Sequence, residues 1–495
     1  MQDLLIITPP FSPHDATPPL GPGILVAHAR AAGLDAHAFD LNIRYLRLFG
    51  GGSQQRLRVV GDHAKDRVRV EAAREHYTRS LCLTPAPPEL VPCGEDAVLS
   101  LAHDFDAMES AIDAMLLDGF WQGFLTSQLA GVAEPRVLGV SVMGPAQVLP
   151  ALVIAKWSKS KWPEARVVAG GSHVTLLADE IARDVRYGHG VIDAFLPGHS
   201  EHTLVAFVRA VKFAENEELA GVLAAGHSYT PAVELAPADW LPAVFDEAEL
   251  ALYDCARLSL PLQLSRGCSY GKCRFCTYPA VEAFTRGNTG HIARSVLETA
   301  VRFGIEKVSV KDSLFDRKAM EAFGTLVAVV APGLTWSCTT KVNRGMRCDC
   351  LRRLYSQGLR TVELGVETIH PSLQRTIDKV QPLDEINDVI AAYLDAGIAV
   401  VINLLYGLPG ETREQADAQW RWFCDWQARG GGLVHGSHNL MEVNRQSVLA
   451  SSPTRHGVKL GHVGPWGFSY VWNAPIWRRE FSDVFAGTHC EKEAA

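Results

Sequence analysis

Cys268-Ser269-Tyr270-Gly271-Lys272-Cys273-Arg274-Phe275-Cys276 is the stretch whose reading decides the fold. Three thiols in a C-x4-C-x2-C spacing lie on one short loop. The loop directly follows a run, 262–266, that reads as a strand. Cysteines grouped this closely bind a metal ion or an iron–sulfur cluster as thiolates. A structural zinc site normally takes four protein ligands, and no nearby Cys or His completes such a set. Three ligands on a four-iron cluster leave one iron open for chemistry. A zinc knob with a distant fourth ligand and three metal-free thiols are the competing readings.

Working outward, strands are expected near 262–266, 306–311, 334–339, 360–366 and 399–406, with a sixth near 433–442 and helices between them. This alternation predicts a full or partial barrel of β/α units over 261–443, a partial (β/α)6 barrel on the six strands counted, with its site at the C-terminal ends of the strands. A second α/β series precedes it. Leu4 to Thr8, Ala36 to Asp40, Val137 to Val142, Arg166 to Ala169 and Ala194 to Leu196 read as strands. The continuous apolar run at 137–142 is typical of a parallel strand buried on both faces. The fold class is therefore α/β: a doubly wound, Rossmann-like domain over 1–214, followed by the barrel. Residues 41–130 read as an insertion, 215–260 as a connector and 444–495 as an aromatic-rich extension.

Composition agrees with this. The chain has 495 residues, 47% hydrophobic and 21% charged, which excludes a disordered, collagenous or coiled-coil protein. A net charge of −8 and the lack of a basic run argue against nucleic acid as a partner. No apolar run approaches the roughly 20 residues of a membrane span. The N-terminus shows no basic region ahead of an apolar one, so a cytoplasmic location is expected. The eleven cysteines are then expected as free thiols or metal ligands rather than a disulfide framework.

The Arg266-Gly267-Cys268 lead-in, the triplet and the aromatic Phe275 before its last cysteine resemble the radical S-adenosylmethionine (SAM) superfamily. The family's usual spacing is C-x3-C-x2-C, so this loop carries one extra residue. The N-terminal domain resembles the cobalamin-binding domain of one large subgroup. The resemblance spans roughly 1–45, 135–215 and 260–445. It implies three cofactors: a 4Fe-4S cluster on Cys268, Cys273 and Cys276, SAM chelated to the open iron, and cobalamin. It places Phe275 against the adenine, Asp312 on the methionine ammonium and Glu367 on the ribose. Gly407 and Gly410 fall in the turn beside the adenine. A helix cap is the alternative role for Asp312, and Lys341 and Asn343 are further candidates for the methionine carboxylate or the substrate. In the N-terminal domain Pro18 to Gly21, Ser141 to Met143, Gly170-Gly171-Ser172 and Gly198 to Glu201 match, in order, the loops that cradle cobalamin. No Asp-x-His-x-x-Gly motif is present, so a histidine lower ligand is not implied.

The chemistry implied is C-methylation of an unactivated carbon in a peptide or natural-product intermediate. A 5′-deoxyadenosyl radical abstracts hydrogen and methylcobalamin supplies the methyl group. A non-methylating rearrangement, cyclisation or ring contraction is the alternative. A non-catalytic iron–sulfur or zinc module is the alternative of another class. A small-molecule or peptide substrate and a flavodoxin- or ferredoxin-type electron donor are the expected partners, with no membrane. Cys338, Cys348 and Cys350 read as ordinary thiols. Trp466, Phe468, Tyr470, Trp472 and Trp477 either cover the barrel mouth or close it hydrophobically.

Overall fold

Every residue of strand β1 (Gln2–Thr8) is buried, as an apolar run in the middle of a parallel sheet requires. The computed structural model describes residues 2–11, 16–48, 104–215, 219–346 and 348–477. It divides into two units: one takes residues up to 259 together with 463–468, the other 260–462 and the chain from 469.

The first unit adds α1 (Leu20–Ala31), β2 (Ala36–Asp40), α2 (Leu41–Leu48), α3 (Phe105–Leu117), α4 (Phe120–Gln128), β3 (Pro135–Ser141), α5 (Val148–Lys161), β4 (Arg166–Gly170), β5 (Ala194–Leu196) and α6 (Glu201–Phe213). All strand pairings are parallel, in the order β2-β1-β3-β4-β5. Leu4 and Ile6 face α1 and α6, through Val26, Ala29, Leu204 and Val208. Leu5 and Ile7 face the opposite layer, which includes Phe105, Ile112, Trp121 and Leu152. The sheet is thus doubly wound, and the strand order reverses between β1 and β3. That is where such sheets open a crevice for ligands.

Two parts of this unit depart from the sequence reading. Residues 105–128 are not an appendage: α3 and α4 supply one of the two covering layers, with Trp121 stacked on Tyr45 at 5.4 Å. The rest of the expected insertion, 49–103, lies outside the described residues. Nor is 219–259 a free connector. Its backbone bonds back through Val244 N–H to Gly23 O and Ser259 N–H to Ala16 O. Its side chains tie the sheet edge through Arg44–Glu249 at 2.6 Å, Arg30–Asp246 at 3.0 Å and the Tyr253 hydroxyl on Asp40.

The second unit holds β6 (Leu260–Leu262), the short hairpin β7 (Ser265–Arg266) with β8 (Thr285–Arg286), α7 (Gly290–Phe303), β9 (Lys307–Val310), α8 (Arg317–Val330), β10 (Thr335–Lys341), α9 (Cys348–Ser356), β11 (Leu359–Glu367), α10 (Pro371–Thr376), α11 (Leu383–Asp395), β12 (Ala399–Tyr406), α12 (Arg413–Arg429) and β13 (Val434–Leu440). Six strands pair in the order β13-β12-β11-β10-β9-β6, and the pairings are parallel. Each strand neighbours the next in sequence, which is the arrangement of an open (β/α)6 barrel. Burial alternates along β10 and β12 with the two-residue period of a strand. Trp336 and Cys338 pack outward on the helices. Their neighbours Ser337, Thr339 and Lys341 face the lumen.

Candidate functional site

The cysteine loop is closed at its base by the β7–β8 hairpin, in which Ser265 pairs with Arg286 and Arg266 with Thr285. Gly267 enters the loop at φ +67, and a Cβ there would sit 2.7 Å from Ala283 O, so only glycine fits. Its N–H donates to Glu282 at 2.6 Å. The far side of the loop is stitched to residues 375–378. Arg274 N–H donates to Ile377 O at 2.9 Å, its guanidinium to Arg375 O at 3.0 Å, and the Tyr270 hydroxyl to Asp378 O at 2.8 Å. The Lys341 ammonium stands 4.0 Å from the centre of the Tyr270 ring.

These ties bring Lys379 beside the thiols. Its ammonium donates to Glu367 at 2.7 Å in a nearly buried ion pair, with the two side chains 10% and 12% exposed. Burial pushes the Cys273 thiol up to about 12, and the Lys379 charge opposes that rise. Such a thiol is held as thiolate by a strong cationic partner, and iron of a cluster is one. Three thiols on one loop, with no fourth Cys or His in that loop, fit a cluster held by three cysteines better than a four-ligand structural zinc.

Asp312 is placed otherwise than the resemblance implies. Its carboxylate is 2% exposed and accepts from Leu264 N–H at 2.7 Å and from the Ser265 hydroxyl at 2.5 Å. Both oxygens anchor the strand that leads into Cys268. Nor does it cap a helix, because Asp316 caps α8. Glu367 lies at the end of β11 with φ +65, a left-handed conformation that a non-glycine residue rarely adopts. Gly407 and Gly410 have φ +74 and +79, and no atom lies within 4 Å of where a Cβ of Gly410 would stand. Phe275 is half-buried against Leu373, Ile377 and Leu408. Cys338 is buried on the helix side of β10. Cys350 donates to Glu321 at 3.2 Å.

In the first unit the expected loops gather at the C-terminal ends of β3, β4 and β5. Gly171, at φ +102, passes so close to Val142 that a Cβ would lie 2.3 Å from its carbonyl oxygen. Ser172 Oγ donates to Met143 O at 2.8 Å, and Gly198 N–H donates to Thr175 Oγ1 at 2.9 Å. Buried Gln147 joins the loops after β1 and β3, accepting from Met143 N–H and donating to Pro9 O, both at 2.8 Å. The Met143 side chain is 42% exposed at this edge, Ser141 is half-buried, Gly170 is half-buried beneath Leu196 O, and Glu201 is 4% exposed. The open edge with tight glycine turns fits a large planar ligand. The aromatic extension is divided between the two units. Trp466 is buried in the first unit against Tyr187 and Phe195, and Phe468 contacts His173. Trp472 and Trp477 stay with the second unit, Trp477 Nε1 donating to Glu411 O at 3.3 Å.

Residues 262–418 match the model of the radical SAM superfamily. They form a radical SAM domain. A curated relative, the anaerobic magnesium-protoporphyrin IX monomethyl ester cyclase of Cereibacter sphaeroides, is 23% identical over 319 residues, 59% of this chain. The chain spans half of that relative's length. Among solved structures, the radical SAM methyltransferase TsrM of Kitasatospora setae, with tryptophan substrate and a SAM analogue bound, aligns at TM-score 0.62 and 14% identity, over 98% of this chain and 88% of that one. The cobalamin-dependent radical SAM enzyme OxsB, with aqua-cobalamin bound, aligns at TM-score 0.64 and 11% identity, over 97% and 66%. The fold of the chain is that of cobalamin-dependent radical SAM enzymes.

The radical SAM domain contains a polar core that the sequence did not announce. Gln374 and Gln381 are 1% and 5% exposed; the Gln374 side chain donates to Gln381 O at 2.6 Å and accepts from Gln381 N–H at 3.0 Å, and Gln381 Nε2 donates to Gly365 O and Val366 O. This network fixes the segment carrying Lys379. The signal that could have found it is the run Asp378-Lys379-Val380-Gln381. Its polar residues have no helical or strand period, yet they follow directly on an apolar helix face.

Proposed function

We propose that the chain is a cobalamin-dependent radical SAM enzyme whose reaction is methylation of an unactivated carbon in a peptide or natural-product intermediate. The observation that carries this reading is the gathering of three loop thiols, Lys379 and Glu367 at the strand ends of an open parallel barrel. When bound, the cluster with SAM supplies a hydrogen-abstracting radical, and the corrinoid supplies a transferable methyl group. The residues of the chain bind and orient. Cys268, Cys273 and Cys276 hold iron. Lys379 would offset the charge of the thiolates, and Glu367 would accept from a ribose hydroxyl. Gly407 and Gly410 admit the edge of the adenine beside Phe275. Ser141, Met143, Gly170, Gly171, Ser172, Gly198 and Glu201 frame the corrinoid in the first unit. A cytoplasmic setting and a flavodoxin- or ferredoxin-type donor belong to the same reading. No helix among the described residues is long and apolar enough to cross a membrane.

The cyclase relative favours a second reading, in which the same cofactors serve a cyclisation or rearrangement. Both are tested by supplying reduced, reconstituted protein with SAM deuterated in its methyl group. Cleavage to 5′-deoxyadenosine, abolished by Cys268→Ala, is expected. Label passing into the corrinoid fraction supports methylation; cleavage without it supports the second reading. An iron-loaded protein that cleaves no SAM contradicts both.

A further inference from the structure

Closed β/α barrels fill their interior with layers of branched apolar side chains. This open barrel does not. Ser309, Lys311, Ser337, Thr339, Glu363 and Asn403 all have the lumen-facing parity, and each is exposed or half-exposed, whereas Val310, Cys338, Leu364 and Ile402 between them are buried. Side-chain bonds confirm the shared face. Ser337 Oγ lies 3.4 Å from Ser309 Oγ, and the Thr339 hydroxyl donates to Glu363 at 3.2 Å.

One row across the sheet carries two opposite charges. Thr339 pairs with Glu363 on β11, and Lys311 follows Val310, whose partner is Cys338, so Lys311 stands beside Thr339 on the other side. The carbon backbones bearing the two charges are about 10 Å apart, two strand spacings. Neither Lys311 nor Glu363 makes an ion pair with any described residue. Partial desolvation holds the Lys311 ammonium below the ordinary lysine range, while Glu363 pulls it back up. An ammonium and a carboxylate that face one space without meeting leave room for a ligand that pairs with both. Lys341, two residues beyond Thr339 on the same face, lies over Tyr270 of the cysteine loop. The charged row is thus about 7 Å along the strand from the level of that loop.

We propose that the lumen binds a small zwitterion of the α-amino acid class, its carboxylate on Lys311 and its ammonium on Glu363. This rests on reading the domain as a radical SAM site and narrows the substrate of that site from a peptide or natural-product intermediate to a molecule with a free α-amino acid group. The test is saturation-transfer NMR with L-tryptophan, L-leucine and L-glutamine, each compared with its N-acetyl amide. At least one free amino acid binds, and its capped form binds more weakly by roughly tenfold to a hundredfold, the worth of a charge-assisted hydrogen bond. Lys311→Met and Glu363→Gln each weaken binding similarly, and Lys311→Arg restores it, with melting temperature unchanged. Equal binding of capped and free forms, unaltered binding in both variants, or no binding of any free amino acid overturns the inference. Iron is assayed in the same samples. Its absence from wild-type protein counts against the radical SAM reading alone, because the lumen groups are protein side chains and binding is still read.

Discussion

Glu367 combines two costly features, a left-handed backbone and a nearly buried carboxylate. Conformations of this kind cost of order 1–3 kcal/mol and persist only where the surroundings fix them. Here the fixing comes from Lys379 and from Gln381, which holds the carbonyls of Gly365 and Val366. Gly365 leaves the space: a Cβ on it would meet Lys379 Nζ at 2.6 Å. Removing one charge strands the other, which costs about 3–5 kcal/mol for a buried pair. Lys379→Met is therefore expected to lower stability by about that amount in urea titrations, and Lys379→Met with Glu367→Gln to recover much of it. In the first unit, Gly171→Ala combines a positive φ with a clash against fixed backbone. A loss of at least about 2 kcal/mol is expected, together with weaker retention of corrinoid measured by absorbance.

At the scale of elements, the turn after β12 contains its own pH dependence. Glu411 is 4% exposed, and burial pushes its carboxyl up to about 7 although Leu408 N–H donates to it. The folded state then holds a proton that the unfolded state releases at ordinary glutamate pH. Stability from this group is present at low pH and is lost as pH rises toward about 7, by about 3 kcal/mol at most. Glu411→Gln is expected to flatten that decline in melting temperature across the same range. Trp466 makes a second case. It is 4% exposed, stacks edge-on against Tyr187 at 4.9 Å, and donates to His189 at 3.2 Å. Trp466→Ala is expected to destabilise the first unit by about 3–5 kcal/mol in differential scanning calorimetry. The strands around these elements were legible because buried parallel strands are apolar and turn residues bound them. The role of 463–468 was not, because aromatic residues in a loop signal burial without saying against what.

For the whole molecule, the α/β class, the order of the two sheets and the cysteine loop could all be read from the chain, since each rests on local spacing. What needed the structure is non-local. Asp312 read as a ligand or a helix cap because its partners, Leu264 and Ser265, lie 48 and 47 residues earlier. Lys379 was not singled out because the pairing that buries it depends on a fold around Gln374 and Gln381. Residues 105–128 looked inserted because the 49–103 stretch before them broke the strand–helix rhythm. The central claim is that two cofactors occupy two separate sites, the cluster on three cysteines and the corrinoid on the other unit. The most direct test purifies the protein without oxygen, supplies iron, sulfide and hydroxocobalamin, and measures bound iron, zinc and corrinoid beside a Cys268→Ala, Cys273→Ala, Cys276→Ala variant. The account predicts about four irons and one corrinoid per chain, with iron lost and corrinoid kept in the variant. Zinc in place of iron, or iron that persists in the variant, would contradict it.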